Sequence, residues 1–196
     1  MAIQDGREEL YPSLRKEILE CQKCRLCERR LKVVPGEGDL YSSLLFVGEG
    51  PGQREDQQGR PFIGPAGNLL ESLIQSSLGL KREQVYITNI VKCRPPENRD
   101  PLPDEVEACH PYLIAQIGLI APDLVCILGR HSLHTLLNPE WSITAVHGKT
   151  FRKDGILFFP TFHPAAALRS QQVKEELSKD FQTLRLLVKK ETRLGD

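Results

Sequence analysis

Residues 48–67 read GEGPGQREDQQGRPFIGPAG and directly follow an apolar run, Leu44–Val47. A short apolar run bounded by glycine and proline is typical of a buried β-strand, and the apolar spacing beyond Ala66 predicts a helix. Six glycines in the loop let the backbone approach a ligand closely, because glycine has no Cβ atom. The loop also carries an aromatic ring and several carboxylates, which a plain connection does not need. Open α/β sheets bind ligands where strands end, so this glycine-rich loop is the first candidate binding site.

The alternation of strand and helix continues along the chain. Four β-rich or apolar runs predict strands at Leu44–Val47, Val85–Val91, Leu124–Leu128 and Ile156–Pro160. Apolar residues at helical spacing predict helices in the N-terminal segment and at Asn68–Leu78, Asp104–Ile120, Arg130–Leu137 and Val173–Lys190. We therefore expect one α/β domain over residues 1–196, with a four-stranded parallel sheet flanked by helices. The N-terminal helix and a cysteine segment, residues 8–30 together, are expected to pack onto it.

Composition agrees with one domain and excludes a membrane span. The chain has 196 residues, of which 40% are hydrophobic and 27% charged, enough to build a full core. No apolar run is long enough to cross a bilayer, and the N-terminus lacks the apolar core of a signal peptide, so we expect a cytoplasmic protein. Lys plus Arg and Asp plus Glu both total 26, so a nucleic-acid site would have to be a local basic patch.

The cysteines are spaced for metal or redox chemistry. They are Cys21, Cys24 and Cys27 within CQKCRLC, Cys93 and Cys109 around a proline-rich loop, and Cys126 within the apolar strand DLVCILG. In a cytosolic chain such a pattern favours metal binding over disulfides. Four thiolates suit either tetrahedral zinc or an iron–sulfur cluster, and spacing alone does not choose between them. Cys126 is expected to be an inert core residue.

Two further polar residues fall at strand ends. Asn89 ends the second predicted strand, and His163 follows the fourth in the segment TFHPAAALR. Each residue taken singly would be structural, Asn89 as a turn cap and His163 as a buried imidazole with its hydrogen bonds satisfied. Because parallel strands end at one edge of the sheet, both should converge with the glycine-rich loop on one crevice.

Three segments together resemble a known family. The strings GEGPGQREDQQGRPFIGPAGNLL, TNIVKCRPPENRDP and FHPAAALR, with the cysteines, are similar to the family 4 uracil-DNA glycosylases, the iron–sulfur branch of that superfamily. The resemblance extends from Cys21 to the C-terminus. It implies a single α/β domain around a four-stranded parallel sheet. It also implies a [4Fe-4S] cluster bound by Cys21, Cys24, Cys93 and Cys109, with Cys27 as a neighbour.

The resemblance implies a DNA repair enzyme that hydrolyses the N-glycosidic bond of deoxyuridine, releases uracil and leaves an abasic site. Such an enzyme flips the nucleotide into a pocket. In the implied roles, Phe62 stacks on the flipped uracil and Asn89 reads its O4 and N3–H. His163 hydrogen-bonds O2, where negative charge grows as uracil leaves.

The residue that handles water is less directly indicated. Some other branches of the superfamily carry Asp or Asn at the position of Gly50. Gly50 is expected to belong to the substrate pocket, but it has no side chain that could position water. Glu55 and Glu49 therefore become the candidates for steadying the cationic sugar or positioning water. Glu55 is favoured near the base, and Glu49 is expected to be a motif residue with a partly structural role. The alternative role for each is a carboxylate that stabilises the loop by accepting backbone N–H bonds.

DNA contacts are expected just after His163. Pro164 and its small neighbours allow close approach to the strand, Leu168 can fill the vacated base stack, and Arg169 can bind phosphate. The alternative is an ordinary helix start with a core leucine. The expected partner is uracil-containing DNA, single- or double-stranded, with a replication or repair factor as a possible further partner. The enzyme is expected to act as a monomer, away from membranes.

Three rival functions compete with this one. The superfamily branch that stays covalently attached through a histidine is disfavoured, because CRPPENRDPLPDE contains no histidine. A phosphate-binding enzyme is disfavoured because no Walker lysine and hydroxyl follow the glycines. A non-catalytic DNA-binding or redox-sensing iron–sulfur module of the same fold stays the alternative. The presence of both Asn89 and His163 speaks against it.

Overall fold

A six-stranded sheet lies at the centre of this computed structural model, which describes the backbone of residues 6–191 and the side chains of residues 6–188. Its strands are β1 (Glu37–Gly38), β2 (Leu44–Gly48), β3 (Tyr86–Asn89), β4 (Leu124–Leu128), β5 (Phe151–Lys153) and β6 (Ile156–Thr161). They lie in the order β1-β3-β2-β4-β6-β5. The four central strands are parallel, which confirms the predicted α/β sheet. Residues 1–5 and 192–196 of the predicted domain lie outside the described residues.

The two outer strands were not predicted. Strand β1 pairs antiparallel with β3, and β5 pairs antiparallel with β6. They contain two and three residues, respectively, too few for a period-2 pattern to be read from the sequence. The sheet is therefore mixed, with a parallel centre and short antiparallel edges.

The helices are α1 (Arg7–Leu19), α2 (Gln53–Gln58), α3 (Pro65–Leu73), α4 (Pro103–Ile120), α5 (Arg130–Leu136), α6 (Ile143–Val146), α7 (Pro164–Ala167) and α8 (Gln171–Glu191). Helix α3 continues as a π-helical turn over Ile74–Leu78, so the predicted helix at Asn68–Leu78 covers both. Helix α2 interrupts what the sequence presented as a loop. It begins after Gly52 and ends at Gly59, whose φ of 77° forms a left-handed cap.

The sheet is covered on both faces because side chains alternate along its strands. On one face, Leu45 and Val47 of β2 pack with Ile18 of α1 and Leu113 of α4. On the other face, Leu44 and Phe46 pack with residues of α3 and α8. Helix α1 also packs directly against α4. In the described part of the chain, none of the helices is both long and apolar enough to cross a membrane.

The carboxyl edge of the sheet gathers the segments that the sequence singled out. Strands β2, β3 and β6 end there at Gly48, Asn89 and Thr161. The chain just before β1 lies at the same edge, since Val34 N donates to Lys92 O at 2.8 Å. This edge therefore brings the glycine-rich loop, the loop after β3 and the start of α7 into one place.

Candidate active site

A cleft with a volume of about 470 Å³ opens at the carboxyl edge, within the size range of small-molecule sites. Predicted site residues that line it are Glu49, Gly50, Glu55, Phe62, Asn89, His163, Leu168 and Arg169. Pro164, the first residue of α7, is buried beside the cleft. The segments that the sequence predicts to converge thus form one cavity.

Phe62 is held in an unusual backbone conformation next to His163. Its φ is 50°, a left-handed value that costs energy for a residue with a side chain. Its ring is 6% exposed and its centroid lies 5.6 Å from the His163 ring. A Cβ atom at Gly48 would lie 2.4 Å from Phe62 Cζ, so glycine is needed there for the ring to fit. The ring is placed to stack on a planar ligand.

Arg82 holds this conformation from outside the cleft. Its Nη1 donates to Phe62 O at 2.9 Å, its Nη2 donates to Pro61 O, and its Nε donates to Glu37 Oε1 at 2.9 Å. Glu37 also accepts two hydrogen bonds from the exposed Arg60. Burial alone would raise the pKa of Glu37, but the two guanidinium groups outweigh it and lower this pKa. Glu37 is therefore a charged anchor for Arg82.

Asn89 presents a buried acceptor without a donor. The residue is 1% exposed, and its Oδ1 is the only buried side-chain nitrogen or oxygen without a hydrogen-bond partner among the described residues. Leaving such an atom unpaired costs about 1–3 kcal/mol. The backbone is fixed, because Asn89 O accepts from Lys92 Nζ at 2.7 Å. Asn89 lines the cleft, and its Oδ1 lies beside Gly48, where a Cβ atom would come within 2.5 Å of it. An unpaired polar atom in the wall of a cleft is suited to pair with a ligand donor.

His163 is fixed as a neutral donor. Its Nδ1 accepts the backbone N–H of Ala165 at 3.1 Å, so the proton of the neutral ring resides on Nε2. Burial and then the nearby His131 lower the pKa of His163 to about 4, although Glu55 opposes this. Gly129 has a φ of 90°, and a Cβ atom there would lie 2.9 Å from His163 Cβ. At neutral pH the ring therefore offers an Nε2–H donor.

Glu55 is buried in α2 and supports the loop. Its Oε1 accepts the backbone N–H groups of Ile63 and Gly64, at 2.9 and 2.7 Å. This is the loop-stabilising arrangement that was considered as the alternative role. The same contacts hold the loop around Phe62 against α2.

Glu49 belongs to a charged cluster that was not foreseen. His131 Nε2 lies 3.8 Å from Glu49 Oε2 and 3.2 Å from Asp100 Oδ2, and Arg130 Nη2 lies 2.9 Å from the same Asp100 oxygen. Burial raises the pKa of Glu49, and His131 and Arg130 partly offset this effect. Although these carboxylates and the imidazole are close enough to hold a metal ion, the Arg130 guanidinium already supplies positive charge there. The signal missed in the sequence was that Arg130 and His131 follow the end of β4 after a single residue, Gly129.

Helix α7 forms one side of the cleft mouth. Leu168 is 52% exposed, and Arg169 is also exposed. Both line the cleft. The leucine is thus not the core residue that the alternative interpretation of this segment required.

The cysteines line a second cavity between the N-terminal segment, the loop after β3 and α4. They are Cys21, Cys24, Cys27, Cys93 and Cys109. Arg30 Nη1 donates to Cys93 Sγ at 3.2 Å. Thiols gathered around one cavity can bind either tetrahedral zinc or an iron–sulfur cluster.

Residues 35–185 match the family model of the Uracil DNA glycosylase superfamily. The chain belongs to this superfamily. It is 43% identical over 189 residues to the Type-4 uracil-DNA glycosylase of Thermotoga maritima, covering 94% of this chain and 98% of that protein. It is 47% identical to the Type-4 uracil-DNA glycosylase of Sulfurisphaera tokodaii, covering 89% and 83%. The predicted family 4 resemblance is confirmed. A Type-5 uracil-DNA glycosylase of Pyrobaculum aerophilum is more distant within the superfamily, at 31% identity over 67% of this chain.

Proposed function

We propose that this superfamily member is a monofunctional uracil-DNA glycosylase, which hydrolyses the N-glycosidic bond of deoxyuridine in DNA and leaves an abasic site. The observation that carries the proposal is the unpaired Oδ1 of Asn89, buried in a cleft that also contains Phe62 and the Nε2–H donor of His163. The names of the Type-4 relatives support the same activity.

Base recognition follows from the Asn89 carboxamide. Its Oδ1 can accept from uracil N3–H while its Nδ2 donates to uracil O4. Cytosine presents the reverse pattern at both atoms, so two donors would face each other at one position and two acceptors at the other, and neither hydrogen bond would form. Sites built to pair with a particular edge reject such analogues strongly. Phe62 stacks on the face of the flipped base.

Bond breaking depends on His163. As the glycosidic bond lengthens, negative charge grows on uracil O2, and the Nε2–H of a neutral imidazole can donate to it. This hydrogen bond strengthens in the transition state, so it stabilises the leaving anion more than the bound substrate.

Water addition is assigned to Glu49, in place of the Glu55 that the sequence favoured, and Glu55 has a supporting role. The side chain of Glu49 is 33% exposed at the cleft, whereas one oxygen of Glu55 already accepts two backbone hydrogen bonds. Gly50 lacks a water-handling side chain, and a Cβ atom there would lie 2.8 Å from Val91 Cγ2. An oxocarbenium-like sugar is electrophilic enough for a weakly activated water to suffice.

DNA is held at the mouth of the cleft. Exposed Leu168 is positioned to fill the space left by the flipped base, and Arg169 to bind a neighbouring phosphate. Buried Pro164 fixes the start of α7, so that the small residues after it approach the strand closely. We assign the enzyme to the cytoplasm as a monomer acting on uracil in single- or double-stranded DNA. A replication or repair factor would be its further partner.

The cysteine cavity fits a [4Fe-4S] cluster bound by Cys21, Cys24, Cys93 and Cys109. All four thiols line one cavity together with Arg30, whose Nη1 donates to Cys93 Sγ, and hydrogen bonds to sulfur are common around clusters. Cys27 lines the cavity as a neighbour. When bound, the cluster supplies a covalent link between the N-terminal segment and α4. The residues of the cleft, and not the cluster, carry out bond cleavage.

The test is a substrate panel with the purified protein. Oligonucleotides containing uracil, cytosine or thymine at one position are incubated and assayed for abasic sites, with borohydride trapping in parallel. We expect abasic sites from uracil alone and no trapped adduct, because no lysine lines the described cleft. Binding without excision would instead support the non-catalytic iron–sulfur module, and a trapped adduct would indicate a lyase.

A further inference from the structure

A second groove, with a volume of about 450 Å³, lies beside the cysteine cavity. We propose that it binds a backbone phosphate of the DNA strand whose nucleotide is flipped into the cleft. We call it the basic groove and define it by Arg15, Arg30, Leu31, Lys32, Gln58 and Gly59. The identity of the strand rests on the proposed function, whereas the affinity for phosphate follows from the groove itself.

Charge is the first argument. Three of the described residues that line the groove, Arg15, Arg30 and Lys32, are cations, and none of the lining residues described is a carboxylate. Neither Arg15 nor Lys32 forms an ion pair with any described residue. In a chain whose net charge is +0, this is a local concentration of positive charge. Such patches attract polyanions and make binding sensitive to salt.

Position is the second argument. Helix α2 connects the two sites, because Gln53 and Arg54 at its start line the cleft and Gln58 at its end lines the basic groove. A helix of six residues is about 9 Å long. Each strand of duplex DNA carries one phosphate per about 3.4 Å of axis. A phosphate in the groove would thus lie within about three nucleotides of the flipped base.

Rigidity is the third argument. Asp56 of α2 is buried, and its Oδ1 accepts the backbone N–H groups of Leu31 and Lys32 at 2.9 and 3.4 Å. On the other side, Arg30 is tied to Cys93. The backbone of residues 31 and 32 is therefore fixed against α2, and the guanidinium of Arg30 is held beside the cysteine cavity. A preorganised cation such as Arg30 binds an anion with less loss of conformational entropy than a free side chain does.

The first measurement is the salt dependence of binding to a duplex that carries a non-cleavable abasic analogue. The double variant Arg15→Gln/Lys32→Gln removes two charges from the basic groove. It keeps Arg30 and its hydrogen bond to Cys93. The matched control Lys174→Gln/Arg185→Gln removes one exposed lysine and one exposed arginine from α8, on the opposite face of the sheet. We expect the groove variant to reduce the slope of log K against log salt by about one for each phosphate that is no longer bound. Equal slopes for the groove variant and the control would overturn the proposal.

The second measurement replaces single phosphates by neutral methylphosphonates within three nucleotides of the abasic analogue. The parent should lose affinity when the phosphate at one position is neutral. The groove variant already lacks the contact to that phosphate, so the same replacement should cause no further loss of affinity, as expected for a coupled pair. Additive losses at every position would overturn the proposal. Inorganic phosphate is then added as a competitor. A site for free phosphate would be blocked at millimolar concentration, whereas a DNA site would not. Failure of the proposed function would appear separately, as absence of uracil excision by the parent.

Discussion

At Asn89, one buried oxygen without a donor links the structure to base choice. Asn89→Ala removes two hydrogen bonds worth about 1–1.5 kcal/mol each, so kcat/KM for uracil should fall about 100-fold. Asn89→Asp is the sharper variant, since a protonated carboxyl can donate to O4 whereas an ionised one favours the amino group of cytosine. Its preference should shift toward cytosine as the pH rises. Parental uracil excision by both variants would show that Asn89 does not read the base.

Arg82 is a positioning residue for Phe62. Base stacking is worth about 1–3 kcal/mol, so Arg82→Ala should reduce the preference for uracil-analogue DNA over abasic DNA by roughly 5- to 150-fold. Arg60→Ala is the matched control, because Arg60 also pairs with Glu37 but does not bond to Phe62 O. The comparison is made by binding titration with thermal melting alongside. If the binding preference changed equally in the two variants, the ion pairs with Glu37 would be responsible for the effect, and the hydrogen bond from Arg82 to Phe62 O would not.

Glu49 should produce the acid limb of the pH–rate profile. Burial raises its pKa, so the carboxylate is present above that pKa and lost as the pH falls through it. His163 does not contribute until lower pH, because its own pKa is lowered to about 4. Single-turnover rates of the parent should fall on acidification. The Glu49→Gln variant should be slower and should lack this acid limb. If the variant kept the acid limb unchanged, the limb would arise from the titration of another group.

The site residues at strand ends were predictable from sequence, whereas the distant residues that hold site residues in place were not. Asn89 and His163 follow from the rule that ligands bind at the carboxyl edge of a parallel sheet. Arg82 reaches Phe62 across 20 positions, and Asp100 meets His131 only through folding. No local pattern marks such contacts.

The same limit applies to secondary structure elements. Four strands were predicted because each is an apolar or β-rich run of several residues, while β1 and β5 are too short to show a period. Helix α2 was missed because glycine and proline surround a short polar run, and its buried face consists of the carboxylates Glu55 and Asp56. Those side chains are stabilised by backbone N–H donors from other segments, which a hydrophobic pattern does not indicate.

The cysteine segment and α4 should depend on the cluster for stability. Joining Cys24 to Cys93 closes a loop of roughly 70 residues, worth about 4 kcal/mol by chain entropy. We expect the parent to be brown and to contain iron. Cys109→Ala should lose colour and melt about 8–16 °C lower, whereas Cys27→Ala should keep both. Absorbance, iron analysis and calorimetry test this. A colourless, fully active zinc protein would reject the cluster.

The whole molecule combines two sites at one edge of a single sheet. The sheet positions the cleft, and the N-terminal segment with α4 encloses the cysteine cavity beside it. Family membership fits this architecture, since residues 35–185 include every element of the sheet. The central claim is that this cleft, through His163, excises uracil.

That claim is tested most directly by single-turnover release of free uracil from a deoxyuridine oligonucleotide, with the parent and His163→Ala both at saturating concentration. We predict uracil and an intact abasic strand from the parent. For the variant we predict a rate lower by roughly two to three orders of magnitude, the range for a lost oxyanion donor, with DNA affinity much less affected. Equal release rates, or no uracil from the parent, would contradict the claim.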